Sequence, residues 1–131
     1  MQFGRLGFTY LVPIRWRDGE QRGELAAYLE RIGAHCAETI VVDGSAAEVF
    51  AANAAAFARH AIHVAPAAEE KWLMGKVAGV RSGLRVASHE KVVIADDDVR
   101  YDAAALRRTL ELLDGHDLVR PQNYFRQLSW H

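Results

Sequence analysis

Residues 92–99 read Val-Val-Ile-Ala-Asp-Asp-Asp-Val, an apolar run that ends in three consecutive carboxylates, Asp96, Asp97 and Asp98. Acids this close repel one another unless a cation or hydrogen-bond donors offset their charge. The triplet is therefore a candidate site for a hard divalent cation; the plainer reading is a solvated turn in which one acid caps a helix. The apolar run is short, rich in β-branched residues and without alternation, which predicts a strand buried on both faces. Acids where such a strand ends sit on the rim of a sheet, where open α/β folds bind ligands.

Two other apolar runs also end in special residues, Pro13-Ile14-Arg15 and Asp43-Gly44-Ser45. In a parallel sheet these ends share one rim and can converge on one ligand. Asp43 taken alone is equally a turn residue before Gly44. Neither a GxGxxG nor a GxxxxGK[ST] phosphate loop is present, so the charge of a bound nucleotide would have to be met by a metal and by lysine or arginine. Lys76, Arg81 and Arg85 offer those cations, unless each is a surface side chain lying along its own helix. No Gly-x-Ser-x-Gly or Cys/His arrangement suggests a covalent nucleophile, and the six histidines show no ligand spacing.

The elements that must position these residues follow from periodicity. Strands are expected over 8–14, ended by Pro13, and over 38–43, 61–65, 92–99 and 117–120. A helix from about residue 20 carries Leu25, Tyr28, Leu29 and Ile32 on one face and stops at Gly33. The next is capped by Ser45, with Glu48 completing a capping box, and groups Val49, Phe50, Asn53 and Phe57. A third helix over 69–88 shows an apolar stripe of Leu73, Val77, Val80, Leu84 and Ala87. Gly75, Gly79 and Gly83 form a second stripe, which implies either tight packing on the sheet or room for a ligand. A fourth helix begins at Asp102 as its cap, with Leu106, Leu110 and Leu113 inward. Strand alternating with helix predicts an α/β fold, a mostly parallel sheet with helices on both faces.

The chain has 131 residues, half of them hydrophobic, which suits a single domain with a full core. A net charge of -1 provides no general field for nucleic acid or an anionic membrane. The lone cysteine, Cys36, expected near a helix end, excludes an internal disulfide and fits a reducing cytoplasm. No stretch reads as a signal peptide or an integral membrane segment.

LVPIRWR (11–17), IVVDGS (40–45) and GKVAGVRSGLRVASHEKVVIADDDV (75–99) together resemble the family 2 glycosyltransferases of the GT-A fold. The resemblance covers about residues 8–120 and implies a Rossmann-like three-layer sandwich that binds a nucleotide-diphosphate sugar donor. On that likeness Asp98 would hold Mn²⁺ or Mg²⁺, and Asp96 would contact the ribose or the metal shell. Asp97 would be the variable middle position of the Asp-x-Asp motif. Asp43 would accept from the base, Pro13, Ile14, Arg15 and Gly44 would line its pocket, and Lys76 and Arg81 would serve the donor from the glycine-bearing helix. One departure is Val42, where the family usually places a second acid. Another is that the family's acceptor-binding half follows the Asp-x-Asp strand. Residues 1–131 are therefore expected to be a donor-binding domain truncated before that half, with acceptor and catalytic base unassigned.

Other readings remain. Haloacid-dehalogenase-like phosphatases also use Asp-x-Asp, but on the first strand and with Thr or Val where this chain has Arg100. A nucleotidyltransferase would need an early glycine-rich basic loop, which is lacking. A non-enzymatic alternative is a binding module or homo-oligomer, self-paired through an incomplete sheet and the aromatic tail with Tyr124, Phe125 and Trp130.

Overall fold

The computed structural model describes residues 5–70 and 75–121. The chain runs β1 (Leu6–Ile14), α1 (Arg22–Gly33), β2 (Cys36–Asp43), α2 (Ala47–Phe57), β3 (Ile62–Val64), a 3₁₀ turn (Ala68–Glu70), α3 (Gly75–Val86), β4 (Val92–Ile94) and α4 (Ala103–Asp114). The four strands form one all-parallel sheet in the order β3-β2-β1-β4. This is the expected α/β class, a Rossmann-like sandwich of three layers. Among the described residues no helix is long and apolar enough to cross a membrane.

Alternation along β1 divides the core. Phe8, Tyr10, Val12 and Ile14 join Leu25, Tyr28, Leu29 and Ile32 of α1, Phe57 of α2, and Leu106 and Leu110 of α4 on one face. Leu11 turns the other way and packs with Ile40 and Val42 beneath α3. The stripe expected on α1 is the buried one, and Asp102 caps α4 by accepting from the Ala105 amide at 2.7 Å.

Several expectations are corrected. β1 does not end at Pro13: the strand continues, pairing Pro13 with Val42 and Ile14 with Asp43. The missing amide is harmless there. Odd-numbered residues of β1 direct their backbone groups toward β4, as the Thr9 amide and the Leu11 carbonyl do, and pairing with β4 stops at Leu11. Cys36, just past the end of α1, opens β2. The N-cap of α2 is Ala46, without a side-chain bond, and not Ser45. β4 is a three-residue edge strand, and Ile94, 46% exposed, shows that it is not buried on both faces. Residues 117–120 form no strand, and Leu118 is 85% exposed. Both sheet edges are three-residue strands, which leaves little ladder for a short, charge-flanked segment to join. Leu73, Tyr124, Phe125 and Trp130 lie outside the described residues.

The largest correction concerns α3, whose buried face is Ala78, Gly79, Ser82 and Gly83, whereas Val77 and Leu84 are 44% and 45% exposed. Val77 and Leu84 face out because Gly79 and Gly83 face in. A Cβ on Gly83 would lie 2.3 Å from Cδ1 of Leu11 and 3.0 Å from Cγ2 of Val42, and one on Gly79 would lie 3.1 Å from Cβ of Pro13. Tight packing against the sheet accounts for both glycines. The return loop from α3 to β4 is held by Glu38, whose carboxylate accepts from Thr9 Oγ1 at 2.8 Å and from the Ser88 amide and hydroxyl at 2.8 and 2.9 Å.

Alanine normally stabilises a helix by about 1 kcal/mol over glycine. At position 83 the clash with Leu11 and Val42 reverses that sign, because overpacking a filled core costs about 1–3 kcal/mol. Gly83→Ala is expected to lower the urea midpoint, while Gly75→Ala, which meets only the flexible Arg15 side chain, leaves it unchanged or raises it. Equal midpoints for the two variants would contradict this packing.

Candidate functional site

The carboxyl ends of the strands are tied together by one chain of hydrogen bonds. Asp43, at the end of β2, is buried. Its Oδ1 accepts from the Ser45 amide at 2.9 Å, and its Oδ2 accepts from Asn53 Nδ2 on α2 at 2.9 Å and pairs with His63 Nε2 on β3 at 2.8 Å. Asn53 in turn accepts from Nε of Arg22, at the start of α1, at 2.7 Å. Ser45 Oγ accepts the Trp16 amide just after β1 at 2.9 Å, and Trp16 Nε1 donates to Asp97 Oδ2 just after β4 at 2.6 Å. All four strand ends are linked.

Burial alone would raise the pKa of Asp43. The hydrogen bonds from Ser45, Asn53 and His63 outweigh that effect and hold its carboxyl below the usual range. The His63 ring is packed between Phe50, at a centroid distance of 4.3 Å, and Phe57, at 5.9 Å.

Beside this network lies a cleft of about 160 Å³, lined among others by Ile14, Arg15, Val42, Gly44, Pro66 and Gly79. Its walls are mostly apolar and its floor is small, because α3 presents glycine there. Of the expected pocket residues, Ile14, Arg15 and Gly44 line this cleft. Pro13 instead packs under Gly79. Asp43 does not face the cleft, so the expected hydrogen bond to a base is not open to its fully buried carboxylate. The reason is alternation along β2: Val42 points to the cleft side and Asp43 to the opposite face, under α2.

The acids after β4 divide into two kinds. Asp97 is held by Trp16. Asp96 and Asp98 are exposed, and Asp96 Oδ1 meets Lys76 Nζ at 2.5 Å. Lys76 therefore stands beside the triplet. Pairs this exposed contribute about 0–1 kcal/mol, so a ligand can displace this one. Arg81 is not brought to the rim. It and Arg85 form ion pairs with the buried Glu70, at 3.3 and 2.6 Å, because a carboxylate removed from water needs counter-charge.

Among the described residues no three His, Cys, Asp or Glu side chains assemble into a metal cage. Two exposed carboxylates fit a different kind of cation site, in which one or two acids hold the ion and phosphate oxygens complete its shell.

Trp16, Asn53, His63 and Glu70 were not singled out as site residues by sequence reasoning. Asn53 carried a signal, being a polar residue at helical spacing among Phe50 and Phe57. His63 carried none until β3 was known to lie beside β2, with His63 opposite Val41 and so on the same face as Asp43.

Fold and rim together define a parallel α/β domain with a cleft at the carboxyl edge of its sheet. Compared with protein-family models, curated proteins and solved structures, the chain finds no match.

Asp43 generates a pH-dependent prediction. With its folded pKa below the unfolded value of about 3.9, its contribution is fully present above that value and is lost as pH falls through the folded pKa. Asp43→Asn turns an amide toward donors that need an acceptor, and leaving buried donors unsatisfied costs about 1–3 kcal/mol each. The variant should be destabilised by roughly that amount at pH 7, with the gap to the parent closing below about pH 4. Parallel curves of unfolding free energy against pH for the two proteins would refute this.

Proposed function

We propose that this chain is the donor-binding part of a GT-A-type glycosyltransferase, holding a nucleotide-diphosphate sugar at the rim of the sheet. The observation that carries the reading is the juxtaposition, by Trp16, of the apolar cleft after β1 and β2 with the acid triplet after β4. A nucleotide has those two ends: a flat base suited to an apolar slot with a few polar groups, and a diphosphate that needs positive charge.

In this reading Ile14, Arg15, Val42 and Gly44 receive the base beside the start of α3. Asp98, with Asp96, would hold Mn²⁺ or Mg²⁺. The cation supplies charge stabilisation of the departing nucleoside diphosphate. Lys76, whose pair with Asp96 is exposed, would meet a phosphate oxygen. Asp97 and Trp16 keep the loop after β4 in register with the end of β1, and Asp43 holds the turn after β2 from behind. The acceptor and the catalytic base are not assigned.

Calorimetric titration of nucleoside diphosphates with and without Mn²⁺ tests this. Binding should require the metal and fall at least tenfold in Asp98→Ala, since a charge-assisted contact contributes about 1.5–3 kcal/mol. Absence of binding to any nucleoside diphosphate in the presence of Mn²⁺ would sink the reading.

A second reading, self-association, draws on one observation. Val77, Leu84, Val86 and Ile94 are all more than 40% exposed on the α3 side of the sheet. Light scattering across a concentration series separates the two: association that Leu84→Lys abolishes favours assembly, and a constant monomer mass dismisses it.

A further inference from the structure

A separate cleft lies between the end of α1 and the start of α4. Arg31, His35, Arg100, Tyr101 and Asp102 line it, its volume is about 540 Å³, and none of its lining residues lines the rim cleft. The guanidinium carbons of Arg31 and Arg100 stand 5.8 and 4.6 Å from the centroid of one ring, that of Tyr28. That ring is itself fixed, because its hydroxyl bonds Tyr10 at 2.8 Å and accepts the Tyr101 amide at 3.0 Å.

Two exposed cations drawn to one aromatic ring repel each other weakly, and an anion shared between them turns that repulsion into attraction. Yet neither arginine has a carboxylate within ion-pair distance among the described residues. The one acid in the lining, Asp102, is engaged as the cap of α4. Arg100 uses Nη1 on the Asp97 and Val99 carbonyls, and among the described residues its other donors have no hydrogen-bond partner. Among the described residues Arg31 makes only its contact with the ring. Two guanidiniums near one ring offer planar sets of N–H donors, the groups that recognise oxyanions through paired bonds.

We propose that this cleft binds a small phosphate-bearing molecule, with Arg31 and Arg100 contacting the phosphate. A dianion balances both guanidiniums, and its tetrahedral oxygens accept from two forks arriving from different directions. The cleft is larger than a phosphate ion, so an organic portion fits beside His35 and Tyr101. This site is independent of the donor reading. It shares no lining residue with the rim cleft and uses no metal.

The test is an amide chemical-shift titration of the whole chain in EDTA at constant ionic strength, with inorganic phosphate in one arm and glycerol 3-phosphate in the other. Saturable shifts confined to residues 31–35 and 100–103 are expected, with affinity reduced about tenfold in Arg31→Gln, the loss of one charge-assisted contact. Tighter binding of the ester identifies a phosphomonoester as the ligand class. Equal affinities mean that the phosphate group alone is recognised, and both results support the site. Shifts that match those from added chloride, or an affinity unchanged in Arg31→Gln, would overturn it. Arg31→Gln is the decisive variant because Arg31 holds no loop in place. EDTA keeps any metal-dependent event at Asp96 and Asp98 out of the readout, so failure here leaves the donor reading standing.

Discussion

The buried carboxylate of Asp43 is the constraint on which the rim depends. A charge removed from water is tolerated only when donors surround it. Those donors come from a turn, a helix and a neighbouring strand: Ser45, Asn53 and His63. Meeting the need of one residue therefore sets α2 against β2, sets β3 beside it, and closes the turn after Asp43. Through Ser45 and Trp16 the same constraint reaches β1 and the acid loop after β4. A network with every member satisfied rigidifies its surroundings, and here it joins elements distant in sequence.

A second constraint acts from the opposite face. α3 can cover β1 and β2 closely only because Gly79 and Gly83 lack side chains where Pro13, Leu11 and Val42 stand. That approach shapes the rim cleft, whose inner wall is the start of α3. It also decides which groups reach the ligand side. Lys76, on the first turn of α3, meets Asp96, while Arg81, farther along, is committed to Glu70. Rigid parts surround the cleft, and the loosely held groups, Asp96, Asp98 and Lys76, lie at its edge. That division suits the proposed donor site, whose charged half would take the cation and the diphosphate.

Much of this was legible in the sequence. The α/β class followed from alternating strand and helix patterns, and the inward face of α1 from its 3.6-residue period. The Asp102 cap was readable, as was the gathering of three strand ends on one rim. The errors have physical sources. Pro13 was read as a terminator because it lacks a donor, but the pairing partner on that side has already ended. Residues 92–99 were read as doubly buried from composition, although composition cannot reveal that β4 is an edge. The stripe of Val77, Val80 and Leu84 was read as the inward face of α3, since apolar periodicity cannot show that shape, not hydrophobicity, chooses the packed side.

The sequence by itself determined the kinds of element, their order and the acids that end the strands, because these rest on local period and residue type. Only tertiary structure decided that Asp43 lies beneath the rim and Val42 beside the cleft, because strand order and facing are set by neighbours distant in the chain. The partners of the acid triplet were settled in the same way. Asp97 belongs to Trp16 and Asp96 to Lys76, across separations of 81 and 20 residues, because packing and not proximity in sequence brings those donors to the end of β4.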